Sequence, residues 1–432
     1  MTSTQQTGRN NLGFVKKIAA RGGIIAFFIM AFEVMIMISP FAFFFYSVFN
    51  PIFAWLDHYA ATRWLTSFFL PHMVLPPTLP LKAIRIGGSI LFVIGLIGFL
   101  ICALQVYLGK IFKWGIAAKG LYAYIRHPQY LFLGVWGVGL VILWPRFIVL
   151  ATLSLMFILY YFLAKDEEQR MLDQYGDDYR QYMEGTGMFV PFSVAGKFRF
   201  VTRWMPDSAL KNVLIPVSII AVVLGAGFLC RTLTVHSLPF ATEKNLTLLP
   251  ILPEDAKCSA KVLEGIIRDS ALRRVGFIRE DKNYLGYLMP ADYVMQGMIA
   301  DTGSRFHLFK QHHTIAMISD WVLHPFEHLR RPPSAHMAKM HNVDPNIARR
   351  HHCPLGIDDQ NIKCGDCPYR RVIIVEIEDG QKSPVSGADV LGFNMNRIPA
   401  GFVDINTQTG EIINSKEVQK STAWKDVPTP AI

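Results

Sequence analysis

The fold of this chain is decided by residues 120–182, which read GLYAYIRHPQYLFLGVWGVGLVILWPRFIVLATLSLMFILYYFLAKDEEQRMLDQYGDDYRQY. The run Arg126-His127-Pro128-x-Tyr130 precedes one apolar stretch, and an acid-rich segment follows the next. Trp144-Pro145-Arg146 separates the two stretches, because proline cannot continue a helix and arginine is costly in mid-bilayer. We therefore predict a tight hairpin of two membrane helices with polar residues at its open end.

Other apolar segments are long enough to cross a bilayer, which takes about 20 mostly apolar residues. They are residues 24–50, 86–108 and 213–232. The first follows a basic N-terminal tail, as in a signal peptide, but it is too long for one and lacks a small-residue cleavage site. We interpret it as a retained anchor. The predicted fold is a multi-pass α-helical membrane bundle of about five helices with an appended α/β soluble C-terminal domain.

Charge divides the chain in the same way. Residues 1–232 hold 20 Lys and Arg against 10 Asp and Glu, whereas residues 233–432 hold 23 of each. A nucleic-acid partner would need a basic face on the soluble part, so this class is excluded. We predict a membrane domain at 1–232 and a soluble domain at 233–432. The latter should contain a strand at 371–377 (RVIIVEI) and a strand pair around Thr409-Gly410.

Basic residues in short loops indicate the orientation, because they accumulate on the cytoplasmic side. The N-terminal tail and the loop at 109–128 carry basic residues and no acids. We therefore expect the N-terminus, the Arg126–Tyr130 run and the acid-rich segment after the hairpin on the cytoplasmic side. The helices themselves would contact the lipid bilayer. Five crossings would place residues 233–432 outside, which means the periplasm if this is a bacterial inner-membrane protein.

The polar residues at the open end of the hairpin are the types that bind a charged small molecule. Arg126, His127 and Tyr130 lie at a helix start, where free N–H groups and the positive helix dipole favour anions. Glu167, Glu168 and several tyrosines fall at helical spacing beyond the hairpin. Two interpretations stay open: a binding site for a charged cofactor beside a lipid-borne substrate, or basic residues that anchor to headgroups beside a solvated acidic helix.

Two motifs flank the hairpin. The first reads Gly120-x-Tyr122…Arg126-His127-Pro128-x-Tyr130, and the second reads Glu167-Glu168-x-x-Met171-x-x-x-Tyr175-Gly176-x-x-Tyr179-x-x-Tyr182. Together, over roughly residues 85–192, they resemble the isoprenylcysteine carboxyl methyltransferase and phospholipid N-methyltransferase group. The resemblance implies an integral-membrane methyltransferase that uses S-adenosylmethionine and acts on a lipophilic or membrane-delivered small molecule.

The resemblance also implies site residues. Arg126 and Glu168 would act in catalysis, with Arg126 orienting the reacting groups. The residues expected to contact the cofactor or line its opening are Gly120, Tyr122, Tyr124, His127, Pro128, Tyr130, Glu167, Glu168 and Tyr179. Lys165-Asp166 departs from the usual basic residue before the paired acids, which leaves recognition of a substrate carboxylate open.

Sterol-type membrane reductases, which bind NADPH, share part of the pattern and are an alternative. They carry a cysteine and a Trp-x-x-Tyr run in the second motif. This chain has Met171 and Tyr179-x-x-Tyr182 there, which favours methyl transfer.

The soluble part contains a second group of reactive side chains. Cys353, Cys364 and Cys367, with His352 beside the first, are ligand types for zinc or iron. Outside the membrane the cysteines could instead form disulfides, or stay as free thiols. A third hypothesis follows, in which the methyltransferase-like part is only an anchor and the soluble part binds a metal or a protein partner.

Overall fold

A computed structural model describes residues 52–112, 118–191, 209–269, 278–290, 323–330, 369–378, 387–393 and 395–417. Within these ranges a helical part that ends at Ser237 precedes a six-stranded sheet. The predicted span at 24–50 lies outside the described residues, and so do Cys353, Cys364, Cys367 and His352.

The described part begins with two short helices, α1 (Ile52–His58) and α2 (Ala60–Thr66). The longer helical elements that follow are α3 (Leu79–Ile111), α4 (Pro128–Leu143), α5 (Phe147–Tyr175), α6 (Asp177–Gly185) and α7 (Ala209–Ser237).

Among the described helices, three are long and apolar enough to cross a membrane: α3, α5 and α7. They cover the predicted spans at 86–108 and 213–232 and the second arm of the hairpin. Helix α4 is apolar but has only 16 residues, below the length that a span needs. The multi-pass character is thus established by three helices, and the count of five stays a prediction.

The hairpin forms where the sequence predicts it, with α4 and α5 joined at Trp144-Pro145-Arg146. The helices run antiparallel, because Tyr130 near the start of α4 stacks on Tyr160 near the middle of α5, well past the start of that helix, with ring centroids 5.6 Å apart. Their open end therefore carries residues 126–130 together with the last turns of α5.

Helices α3 and α4 touch at their backbones through glycines. A Cβ on Gly95 would lie 2.3 Å from the backbone nitrogen of Trp136, and one on Gly139 would lie 2.4 Å from that of Phe92. No other residue type fits at these positions without moving one helix. This close approach fixes α4 against the longest apolar helix.

The sheet has its strands in sequence order: β1 (Ala241–Glu243), β2 (Leu246–Pro250), β3 (Asn283–Met289), β4 (Tyr369–Glu378), β5 (Asn396–Asn406) and β6 (Ile412–Glu417). All neighbours are antiparallel except β2 and β3, whose parallel pairing is bridged by helix α8 (Ser259–Arg268). A short helix, α9 (Pro325–Arg330), lies between β3 and β4 in the chain. The predicted strand at 371–377 and the strand pair around Thr409-Gly410 are confirmed as β4, β5 and β6.

The two faces of the sheet have different partners. One face packs against α8 through Val262 and Ile266. The other face packs against the helical part, since Phe68 and Met73 lie in one hydrophobic cluster with Tyr287 of β3. The sheet and the helical part therefore share a core, beyond being joined by the chain at residues 238–240.

Polar contacts hold the same junction. Arg231 of α7 is buried and donates hydrogen bonds to the carbonyls of Phe68 and Leu391, the latter at 2.7 Å. The backbone nitrogen of Phe69 donates to the carbonyl of Pro145 at 2.8 Å. The sheet thus lies at the turn end of the hairpin, and Arg126 lies at the opposite, open end.

Candidate active site

The candidate site is built at the first turn of α4 and the last third of α5. His127 is the residue that precedes α4, and Pro128 occupies its first helical position, where its missing N–H removes no helical bond. Glu167 and Glu168 stand 20 and 21 residues into α5, past its apolar part. The antiparallel hairpin brings these four residues to one end of the two helices.

Arg126 is held by three partners. Its Nε donates to Glu168 Oε1 at 2.6 Å, and its Nη1 donates to the carbonyls of Met183, at 3.1 Å, and Thr186. Both side chains of the ion pair are nearly buried, with exposures of 10% for Arg126 and 8% for Glu168. A buried pair of this kind is costly to break, because either partner alone would be a buried, uncompensated charge.

His127 lies between the two glutamates. Its Nε2 is 3.3 Å from Glu168 Oε1, and its Nδ1 is 3.5 Å from Glu167 Oε2. Burial lowers the pKa of His127, but the hydrogen bonds that its ring donates to the carboxylates of Glu167 and Glu168 outweigh this effect, so the pKa lies above its ordinary value. The imidazole is thus poised to hold a proton between two carboxylates.

Glu167 is the acid of the pair that reaches the surface, with a side-chain exposure of 38%. The hydroxyl of Tyr130 donates to its Oε2 at 3.5 Å, a long contact. The carboxylate of Glu168 contacts Arg126 and His127, whereas the carboxylate of Glu167 is partly exposed to solvent at the open end of the hairpin. It is the better placed of the two to meet a ligand.

A short extended segment closes one side of the cluster. The backbone nitrogens of Arg126 and His127 donate to the carbonyls of Gly187 and Met188 at 2.8 and 3.0 Å. Gly187 in turn donates to the carbonyl of Tyr124 at 3.2 Å. Residues 186–189, which follow α6, are thereby fixed alongside residues 124–127.

Tyrosines form the inner wall behind the cluster. Tyr122 donates to the carbonyl of Cys102 at 3.3 Å, and Tyr182 donates to the carbonyl of Tyr122 at 2.5 Å. Burial raises the pKa of Tyr182 to about 12 and raises those of Tyr122 and Tyr179 above the usual range for a phenol. All three are neutral at physiological pH, so they act as hydrogen-bonding and packing groups.

The structure separates the residues predicted for the site into two groups. It brings together Arg126, His127, Pro128, Tyr130, Glu167, Glu168 and Tyr179. Tyr122 is buried behind them, whereas the side chain of Tyr124 is 66% exposed and Gly120 lies in the preceding 3-10 turn with φ of 63°. The described contacts do not join Tyr124 or Gly120 to the acids.

The described contacts do not test the predicted metal site. Cys353, Cys364, Cys367 and His352 lie outside the described residues, and the described ones contain no cluster of three or more metal-ligating side chains. Zinc or iron in the soluble part stays a prediction.

Several residues of the site carry no signal in the sequence. Met183 and Thr186 contribute backbone carbonyls to Arg126, and any residue type could do so. Phe189 places its ring centroid 6.0 Å from that of His127. Their position shortly after the acid-rich helix gives one hint that these residues lie near Arg126, because elements joined by short connections tend to be neighbours in space.

The arrangement as a whole suits a charged cofactor that approaches from the open end. Carboxylates accept hydrogen bonds from ammonium and ribose hydroxyl groups, and the start of α4 offers N–H groups to an anion. The apolar arms of the hairpin supply a hydrophobic surface directly below. A membrane-dissolved partner and a water-soluble cofactor could meet there.

Comparison with known proteins agrees with this location. The model of the isoprenylcysteine carboxyl methyltransferase (ICMT) family matches residues 99–173, which run from within α3 to the two glutamates of α5. No curated protein and no solved structure matches the chain. The match covers well under half of the chain and contains Arg126, His127, Glu167 and Glu168. Over residues 99–173 the chain is thus similar to the ICMT family, a family of membrane methyltransferases.

Proposed function

We propose that this protein is an integral-membrane, S-adenosylmethionine-dependent methyltransferase that acts on a lipophilic or membrane-delivered acceptor. The observation that carries the proposal is the Arg126–Glu168–His127–Glu167 cluster at the open end of the α4–α5 hairpin. It lies within the segment that matches a membrane methyltransferase family.

The residues present fit S-adenosylmethionine. Glu167 offers a half-exposed carboxylate for the ammonium group or the ribose hydroxyls, and the N–H groups at the start of α4 offer donors for the carboxylate. When bound, S-adenosylmethionine supplies a methyl group on an already activated sulfonium. The protein has to orient the acceptor and exclude water, which accounts for most of the rate gain in such reactions.

Within this function Arg126 is a positioning residue. Its guanidinium is occupied by Glu168 and two backbone carbonyls, so it fixes the acid and residues 183–188 relative to α4. His127 contacts the carboxylates of both glutamates and so fixes Glu167 relative to Glu168. The two motifs are therefore held in register by a network of charge-assisted hydrogen bonds.

The topology proposal follows from the same hairpin. The cluster lies at its open end and the sheet at its turn end, roughly 24 Å away along the 16 residues of α4. We place the open end at the cytoplasm, where S-adenosylmethionine is made, and the sheet on the opposite side. The membrane domain at 1–232 would then carry the chemistry, and the domain at 233–432 would cap the far end.

Cofactor binding tests the proposal most directly. Full-length protein in nanodiscs should bind S-adenosylhomocysteine by calorimetry and should not bind NADPH, and Glu167→Gln should weaken the binding at least about tenfold, or 1.4 kcal/mol. Asp173→Asn is the matched control, because Asp173 is an exposed acid of the same helix that pairs with Gln169 at 3.0 Å. Binding of NADPH instead would favour the reductase alternative.

A further inference from the structure

Two large apolar side chains of the soluble part are exposed close together in the chain. Leu323 is 71% exposed, and Phe326, in the first turn of α9, is 74% exposed. Two further exposed side chains of this kind in the described soluble part, Ile398 and Ile413, are at most 42% exposed. Contact with water is unfavourable for apolar surface in proportion to its area, so the cost is largest at Leu323 and Phe326.

Exposure of this degree is common on the helices that can cross a membrane. Leu100 of α3 and Val222 of α7, for example, are each more than half exposed, and both lie within candidate spans. On such a helix the apolar side chains face the hydrocarbon of the lipid. The exposed surface of Leu323 and Phe326 therefore resembles a surface that lipid covers.

The position of α9 in the structure places this surface at the membrane. Helix α9 lies against α3, so α3 sets its depth. The candidate span Leu79–Gly109 takes up 31 residues and nearly the whole of α3. A helix of that length measures roughly 46 Å, about the thickness of a bilayer with its headgroups. A segment in contact with α3 therefore lies at the level of the hydrocarbon or of the headgroups.

The same segment carries polar groups and is short. The side chains of His324 and Arg330, near the two ends of α9, are exposed. The six residues of α9 extend over only about 9 Å, against about 30 Å of hydrocarbon in a bilayer. A short helix that combines exposed apolar side chains with polar ends is typical of a segment that lies in the interface and does not cross the bilayer.

We propose that Leu323 and Phe326 insert into the lipid bilayer beside α3 and attach the soluble part to the membrane at a second place. Helix α7 is the first attachment, because it leads from a candidate span into β1. Helix α9 belongs to the chain between β3 and β4, so its insertion ties the middle of the soluble part to the bilayer. The partner is the hydrocarbon of the lipid, and this attachment does not depend on methyl transfer.

The test places a fluorescent amino acid, by amber-codon suppression, at one position of the full-length protein in phosphatidylcholine nanodiscs. Phe326 is the test position, Leu100 of α3 is the lipid-facing reference, and Ala260 of α8 is the reference away from the membrane. All three side chains are exposed, and α8 covers the face of the sheet opposite to the helical part. Fluorescence is compared between ordinary lipid and lipid with brominated acyl chains, which quench a dye on contact.

We expect the dye at Phe326 to be quenched at least about half as strongly as the dye at Leu100, and the dye at Ala260 less than about a tenth as strongly, because interfacial segments bury their apolar face about 5–10 Å deep. The dye at Leu323 should behave like that at Phe326, which provides a second position if one dye-bearing chain does not fold. Quenching at both positions no stronger than at Ala260 would overturn the proposal. Blue-shifted emission without quenching would also overturn it, since protein and not lipid would then cover these side chains.

Discussion

Arg126 and Glu168 are 42 residues apart in the chain, and their side chains meet at 2.6 Å across the open end of the hairpin. This pair joins the start of α4 to the last third of α5. Arg126 adds the carbonyls of Met183 and Thr186, so one guanidinium fixes three parts of the chain. The geometry of the site therefore depends on a planar, multidentate cation and not on positive charge alone.

Arg126→Lys should consequently impair the site although it keeps the charge. A lysine ammonium cannot reach the carboxylate and both carbonyls in the same geometry, and each buried acceptor left unsatisfied costs about 1–3 kcal/mol. We expect a lower melting temperature in detergent and at least about tenfold weaker binding of S-adenosylhomocysteine by calorimetry. Arg180→Lys, in an exposed pair with Asp177, is the control and should change neither quantity. Equal effects from both variants would contradict the positioning role.

His127 should make the stability of the protein depend on pH. Its pKa is raised above 6.5 in the folded state, so the proton it binds stabilises the folded chain. This contribution is fully present below about pH 6.5 and is lost as pH rises through the higher folded-state value. Thermal unfolding between pH 6 and pH 9, measured in detergent, should show the melting temperature falling with pH.

The variant His127→Asn should flatten that profile, because it removes the titrating ring. His236→Asn serves as the control, since His236 is exposed on α7 and its ring nitrogen is 2.8 Å from the Thr232 carbonyl. An identical pH slope in the His127 variant and the unaltered protein would show that the imidazole does not carry the effect.

Two glycines of α3 should respond in opposite ways to the same substitution. Gly95→Ala forces a methyl group to within 2.3 Å of the Trp136 backbone, and such overpacking costs about 1–3 kcal/mol. A Cβ on Gly87 meets nothing within 4 Å, so Gly87→Ala should be neutral or stabilising by up to about 1 kcal/mol through helix propensity. Melting temperatures and folded yields of the two variants decide between a tight and a loose α3–α4 contact.

The junction between helices and sheet should depend on Arg231. Arg231→Leu leaves the carbonyls of Phe68 and Leu391 without their donor and removes a cation that lies 4.6 Å from the Phe393 ring centroid. Two buried acceptors at about 1–3 kcal/mol each predict a marked loss of stability. Limited proteolysis should cut the sheet of the variant faster than that of the unaltered protein. Arg279→Leu, an exposed pair with Asp281, should digest at the normal rate.

Local features of the sequence were sufficient for the helices and for part of the sheet. Length and apolarity predicted α3, α5 and α7, and Pro145 located the turn of the hairpin, because both depend only on neighbouring residues. The apolar run at 371–377 predicted β4 for the same reason. The paired motifs at Arg126 and Glu168 also predicted which family model would match.

The partners of the key side chains depended on tertiary structure. That Arg126 is occupied by Glu168, Met183 and Thr186 follows from the antiparallel hairpin and the return of residues 186–189, and backbone carbonyls leave no mark in a sequence. The orientation of reacting groups by Arg126 stays a prediction, and these contacts support the positioning role that we propose for it. Likewise, nothing near Phe68 or Arg231 indicated that they meet under the sheet.

Local sequence was enough to predict which segments are apolar enough for a membrane, where the hairpin turns and which polar residue types stand at its open end. These properties are set by side-chain chemistry and short-range periodicity. Which charges neutralise one another, and at which end of the hairpin the sheet lies, became clear from the packed fold alone. Those relationships join residues far apart in the chain, and their energies depend on distances and burial that exist only after the helices have packed.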